Sequence, residues 1–485
     1  MAACVVILAQ TSSGLAASMA GPSATSPRSV TGTTPLPRFG QPGACGSDLE
    51  HQDWESEPAL AVNPADERNL VTAWIQDWND AISIGTSTDA GKSWTTTVPK
   101  TAACTWPEGA PSEYRNLDYT LNSAGDPWIA IGPAPSGSRG IAYLSSLVMA
   151  SDNSHFLAVA HHSEDGGRTW SDPVIVDKVA TPLLFDMTNI AADLRRPGVA
   201  YMTYDEGDLA GLSRAEYVVR TTDGGITWSD PVAIPVAGAL PVHGQLSVLQ
   251  DGSVVDVFGT LPPEPGAGPG TIVGPTTLFA TRSVDGGEHW SAPVQIAVAD
   301  PTRMINAGVA TASDGTLHVG WARTDANGMF FQLLLATSTD GGRTWSNPRA
   351  VGAPIVGRPG AGDQRNITSA PSVSVNADGT IAVAFYDHRR DADVTDTTQF
   401  TDRWVRTSSD GGATWSDTPV AGPFDQSSAP QGGGIGDSQG IAPVRGGFAM
   451  TFTLACPLGG ANFNLASPPT DIFFSRFRLN GAVTN

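Results

Sequence analysis

Apolar positions in this chain fall into short runs, alternating or continuous, each closed by turn-forming Gly, Asp or Asn. Residues 372–407 show the order most plainly. Ser372-Val373-Ser374-Val375 predicts an innermost strand and Asn376-Ala377-Asp378-Gly379 its turn; Ile381 to Tyr386 predicts a second strand and Asp402 to Thr407 a third. Runs of this kind bounded by turn residues mark β-structure, and no long stretch carries the helical period. The third strand leads into Ser408-Ser409-Asp410-Gly411-Gly412-Ala413-Thr414-Trp415, and near-copies of that octapeptide end at Trp94, Trp170, Trp228, Trp290 and Trp345. One copy bends the rule, with His289 before Trp290. The six Trp are 76, 58, 62, 55 and 70 residues apart, which leaves room for four short strands and a loop in each repeat. Repeats of this length predict a solenoid or a propeller.

The octapeptide reads as a tight hairpin. Its Asp and Ser oxygens can accept backbone N–H groups inside the turn, Gly supplies positive φ, and Trp starts the next strand by burying a broad ring. These six Asp are therefore expected to build architecture rather than bind a ligand. First strands are expected at Ala59–Val62, Trp128–Ile131, Asn189–Ala192, Gln245–Val248, Gly308–Thr311, Ser372–Val375 and Gly440–Ala442. That count predicts an all-β fold, one propeller of seven four-stranded antiparallel blades over residues 45–485; six blades with a C-terminal extension is the alternative. The last unit has three strands, and its fourth is expected from the segment around residues 45–53, closing the ring without a free sheet edge.

The octapeptides resemble the Asp boxes, or BNR repeats, of sialidases and related secreted β-propellers, from about residue 55 to 480. The resemblance implies the fold. It leaves activity open, because enzymes and non-catalytic propellers both carry the box.

Charge and cysteine usage narrow the setting. A net charge of −21 disfavours nucleic acid and anionic membrane surfaces as partners, and no apolar run reaches the ~18 residues of a membrane span. A monomer is expected. Ala2 to Ala9 is apolar and Ser18-Met19-Ala20 offers a cleavage site, so residues 1–20 read as an export signal and the protein as secreted. Residues 21–44, rich in Ser, Thr, Pro and Gly, read as a disordered linker. Export leaves Cys45, Cys104 and Cys456; Cys45–Cys104 is the expected disulfide and Cys45–Cys456 its competitor.

Extra length gathers after second strands, on the face opposite the boxes, at residues 262–275, 387–402 and 456–469. Loops collected on one rim carry function. Aligned on their first strands, the blades place Glu57, Asp126, Met187, His243, Asn306, Ala370 and Asp437 at the mouth of the axis, with Asp186 beside Met187. Carboxylates gathered there would raise a pKa and make a general acid; a solvated polar plug is the plainer alternative. Arg303, Arg365, Arg323, Arg389 and Arg390 are expected on the same rim, suited to a carboxylate or to balancing an acidic surface. Trp74 to Trp78 and Tyr204-Asp205-Glu206 line the exits of blades one and three, where aromatics suit sugar rings, although Trp74 fits the core better.

The sialidase resemblance implies three arginines on a substrate carboxylate, a Tyr nucleophile and an Asp acid/base. Arg303, Arg365 and Arg389 would be the trio, Tyr386 the nucleophile and Asp126 the acid, with Glu57 a further carboxylate and His243, Asn306 and Asp437 contacting substrate. Ser56-Glu57-Pro58 stands where that family has Arg-Ile-Pro. His161-His162 reads as structural, and no zinc-type spacing or phosphate loop is present. No cofactor is expected, although Asp391 to Asp396 could hold Ca²⁺ through side-chain oxygens. Two functions follow: a secreted glycoside hydrolase of sialidase-like type, or a glycan- or protein-binding propeller without catalysis.

Overall fold

A computed structural model describes residues 21–31, 45, 53–106, 109–134, 140–209, 213–236, 240–261, 277–298, 304–324, 330–356, 371–393, 398–429, 434–436, 438–455 and 470–479. The expected export signal lies outside them. Seven antiparallel sheets are present, each meandering outward from an innermost strand. The innermost strands are Glu55–Val62, Leu121–Gly132, Leu183–Ala192, Leu240–Val248, Met304–Thr311, Ser372–Val375 and Gly440–Val444, defining blades one to seven. Cores form between successive blades. Tyr143, Met202 and Val219 share one such cluster between blades two and three, and Tyr386, Phe452 and Phe473 another between blades six and seven.

The box hairpins form as the sequence dictates. In blade five, Asp340 Oδ1 accepts the Ser338 hydroxyl and the N–H groups of Arg343 and Thr344 at 2.8, 3.0 and 2.9 Å. Its Oδ2 takes the Thr344 hydroxyl at 2.6 Å, and Trp345 Nε1 donates to the Gly342 carbonyl at 3.2 Å. Gly342 has φ +85°, and a Cβ there would sit 3.3 Å from Val255 of blade four. The box therefore closes its own hairpin and seats it on the previous blade.

Ring closure differs from the sequence expectation. Ser23–Ala24 and Arg28–Ser29 pair with the last strand Thr470–Arg478 as the outer edge of blade seven, the place expected for the segment around residues 45–53, most of which lies outside the described residues. The expected linker thus contains an ordered strap over residues 21–31. Val30 is 4% exposed among Trp74, Ala449 and Phe474, and the Thr31 hydroxyl donates to Asp471 at 3.0 Å. Burial of this one apolar side chain and pairing with an open sheet edge outweigh a composition that reads as loop. Cys45 and Cys104 form the disulfide, beside Ala81 at the start of the third strand of blade one. Deleting residues 1–31 is expected to lower the thermal midpoint and to promote association through the exposed blade-seven edge, read by melting curves and light scattering. An unchanged scattering mass with an unchanged midpoint would contradict the strap's role.

Candidate functional site

Strand registers put the start of each innermost strand opposite the end of the second strand, with the box at the far end. Glu55 pairs with Gln76, whereas Leu70 pairs with Ser87 of the box. The face opposite the boxes, where the sequence reading expects function, is therefore the one onto which the starts of the innermost strands open.

At that face the innermost strands of blades one to five each bulge, with register breaks at Ser56/Ala59, Gly125/Trp128, Asp186/Thr188, Val242/Gln245 and Ile305/Gly308. Glu57, Asp126, Met187 and His243 occupy these bulges with φ of 57°, 49°, 47° and 57°. The left-handed region costs a non-glycine residue roughly 1 kcal/mol, so four equivalent positions store strain around one opening. Hydrogen bonds between blades hold the strained residues. Met187 N–H donates to Asp126 Oδ2 at 3.1 Å, the Thr188 hydroxyl to the Asp126 carbonyl at 2.7 Å, and His243 N–H to Asp205 Oδ2 at 3.1 Å.

The bulges surround an axial cavity of about 190 Å³ to which all seven blades contribute, including Leu60, Trp128, Asn189, Gln245, Val309 and Gln439. Among the described residues that line it, His243 is the one titratable side chain. The sequence reading expected acids to converge on this hollow; among the described residues Glu57 and Asp126 do not line it, and carboxylates collect instead in nests within and between blades. Glu57 leans over Gly436 on the approach to blade seven. The Asp126 carboxylate is spent on the Met187 N–H, tying blade two to blade three.

The densest nest lies in blade three, whose strands Leu183–Ala192, Ala200–Asp208 and Arg214–Thr221 place Asp186 opposite Asp205 and Asp205 opposite Glu216. Three acids side by side on one sheet face repel. Arg214, two residues from Glu216 on that face, offsets part of this: its Nη2 hydrogen-bonds Asp186 Oδ2 and lies 3.4 Å from Asp205 Oδ2. Burial opposes charge at Asp186, but Arg214, His243 and the Met187 N–H outweigh it and hold the carboxyl below its ordinary range. Burial, aided by Asp186 against the pull of Arg214, pushes the Asp205 carboxyl up to about 7. Behind them Glu216 and Asp256 are fully buried, and both carboxyls are raised: Glu216 by burial with the charges of Asp256 and Asp205, Asp256 by burial with the charge of Asp205. The Glu216 carboxylate lies against Gly244 in the cavity wall, where a Cβ could not fit. Asp186, with a side chain 35% exposed, is the member of this nest that meets solvent. The nest presents an ionised carboxylate at the rim, a proton-holding one behind it, and His243 alongside.

Other expected site residues fall elsewhere. Tyr386 is fully buried, its hydroxyl donating to Gln439 Oε1 at 2.9 Å and the Thr453 carbonyl at 2.7 Å, and burial raises its pKa. It supports Gln439 from behind and does not reach the cavity as a nucleophile, which corrects that assignment. Arg389 is likewise committed, to Asp387 at 2.6 Å and Asp417 at 2.7 Å, with its guanidinium 4.2 Å from the Trp404 ring. These two ion pairs occupy its guanidinium on the flank of blade six. Arg303, Arg365, Ala370 and Asp437 lie outside the described residues, as does the side chain of Asn306. Trp74 is core, whereas Trp78 stacks on Trp54 at 3.9 Å and stays 38% exposed. His161 is buried, and desolvation lowers its pKa to about 4, in keeping with a structural role.

Asp53, Glu55 and Asp77 bring carboxylate oxygens within 4.8 Å of one another beside blade seven and could hold a hard cation. The Asp391–Asp396 stretch lies partly outside the described residues. Arg214, Glu216 and Asp256 were missed by sequence reasoning. The available signal was an acid inside an apolar strand, as in Val254-Val255-Asp256-Val257-Phe258, which strand burial turns into an electrostatic problem.

A BNR repeat-like domain family matches residues 278–432. No curated protein matches the chain. Among solved structures, a polysaccharide lyase described as an ulvan lyase is similar with TM-score 0.53 at 10% identity, over 88% of this chain and 95% of that one. An α-L-arabinofuranosidase of Fusarium graminearum gives 0.44 at 14% identity over 88% and 95%. A Hadza microbial sialidase gives 0.41 at 16% identity over 90% of this chain and 67% of its own. Six boxes and seven sheets arranged as blades make the described residues an Asp-box β-propeller in fold.

Proposed function

We propose that this protein is a secreted, glycan-acting propeller that cleaves an extracellular polysaccharide at the rim of blades three and four. The observation that carries the reading is the split pair Asp186 and Asp205, one held charged by Arg214 and His243 and the other pushed up to about 7. Environments that drive two neighbouring carboxyls apart assign one the base and the other the acid. In this reading Asp186 stabilises positive charge or accepts a proton at the substrate, His243 transfers a proton beside it, and Asp205 keeps that pair poised. Trp78 supplies a stacking surface for a sugar ring across the opening. The disulfide supports an oxidising compartment. Glycan-cleaving proteins among the similar folds agree in kind but do not choose between hydrolysis and elimination.

Screening polysaccharides and fluorogenic glycosides for new reducing ends, and for ultraviolet absorbance of a C4–C5 double bond, separates those two chemistries. Asp186→Asn is expected to lower turnover by about 10²–10⁴-fold, the usual worth of a positioned acid or base. Turnover unchanged by it, yet lost in Asp126→Asn or Glu57→Gln, would move the site to the bulge carboxylates. The neutral lining of the axial cavity favours a second reading, glycan binding without catalysis. Saturable binding with no product from any substrate supports that reading.

A further inference from the structure

We propose that Arg403 holds a small monovalent anion, a halide or short carboxylate, in a closed site between blades six and seven. Arg403 sits on the third strand of blade six, Phe400–Ser408, and is 0% exposed. Its strand partners are Tyr386 on one side and Ala421 on the other, both in the apolar cluster that includes Phe424, Leu454 and Ala455. Among the described residues, Nε, Nη1 and Nη2 have no hydrogen-bond partner. Asp402, next in the chain, points to the opposite sheet face and lies 3.3 Å from Arg390.

Magnitudes decide what this guanidinium requires. Leaving one ion buried without a counter-charge costs several kcal/mol. The Arg403 guanidinium lies 4.5 Å from the Tyr386 ring centre, and a desolvated cation–π contact returns only part of that cost. Neutralisation does not close the gap. Burial pushes the Arg403 pKa down only to about 10, so the side chain stays cationic at neutral pH. A water molecule would satisfy donors and leave the charge. A single anion answers both, accepting from the guanidinium fork while the apolar walls limit its size. The inference does not depend on glycan cleavage.

The test is thermal melting of the full chain at constant ionic strength, with a bulky sulfonate replaced stepwise by chloride, formate or acetate. Wild type is expected to gain about 2 °C or more along a saturating curve in at least one of these. Arg403→Met is expected to show no such gain and to melt at or above anion-free wild type, because an unpaired buried charge has been removed. A flat wild-type curve, or parallel curves for both proteins, overturns the proposal. Should Arg403→Met not fold, bromide soaked into crystals of the wild-type protein decides: anomalous density within hydrogen-bond reach of Arg403 supports the site. Bromide only at surface positions, an adventitious ion only, counts against it.

Discussion

Replacing Arg214 by leucine is expected to cost about 3–5 kcal/mol at pH 8, the loss seen when one member of a buried ionic group is removed. Arg214 is the sole cation making an ion pair with both Asp186 and Asp205 among the described residues, and its charge is the largest of the influences that keep Asp186 ionised despite burial. Without it, the row Asp186, Asp205 and Glu216 loses its ion-pair partner, and strand pairing prevents the three from separating. Protonation relieves such repulsion, so the loss should shrink toward pH 5. Adding Asp186→Asn should recover part of the stability, a coupling that a double-mutant cycle reads directly. Urea unfolding of the four proteins at both pH values is the measurement. A cost below 1 kcal/mol, equal at the two pH values, would show that the nest is solvated in solution. The variant should also lose the split between Asp186 and Asp205, and any turnover that depends on it.

Wild-type stability is expected to peak near pH 4 to 5 and to fall on both sides. Two populations of carboxylates with opposite shifts produce this. In the boxes, burial opposes charge at Asp89 and Asp340, yet hydrogen bonds from box Ser or Thr and from backbone N–H groups win, holding each at about 2. At Asp285 the His289 N–H and side chain do the same. A folded pKa below the unfolded ~3.9 contributes stability that is fully present above ~4 and is lost as pH falls toward 2. The nests have the reverse sign. Burial raises Asp205 to about 7, Asp471 and Asp402 to about 6, and Glu55, Glu216 and Asp256 also upward. The native state keeps these protons while the unfolded chain releases them, so stability falls as pH rises from ~4 through 7. For Asp205 alone the effect is on the order of 4 kcal/mol. Asp205→Asn should flatten the descent between pH 5 and 8 in chemical denaturation. Stability that climbs from pH 5 to 8 would sink this account.

Much of the molecule was legible before folding. The octapeptides fixed the hairpins because a box satisfies its own hydrogen bonds within eight residues: Asp340 finds every partner between Ser338 and Thr344. Blade number and the alignment of Glu57, Asp126, Met187 and His243 followed from the same repetition, since equivalent positions in equivalent hairpins meet equivalent surroundings. The closing strap was not legible. Ser23–Ala24 and Arg28–Ser29 carry a loop-like composition, and only the open edge of Thr470–Arg478 makes them strands.

Side-chain roles divide in the same way. That Tyr386 is phenolic and Arg389 cationic was plain from sequence. That one props Gln439 and the other is spent on Asp387 and Asp417 depended on contacts up to 67 residues apart. The sequence by itself determined local geometry, because a hairpin's partners lie within its own span. Only the tertiary structure decided where charge resides, since the energy of a carboxylate is set by its burial and by neighbours that other strands and blades bring to it. Asp186 and Asp205 are the same residue type one strand apart, and only their surroundings separate the charged one from the protonated one.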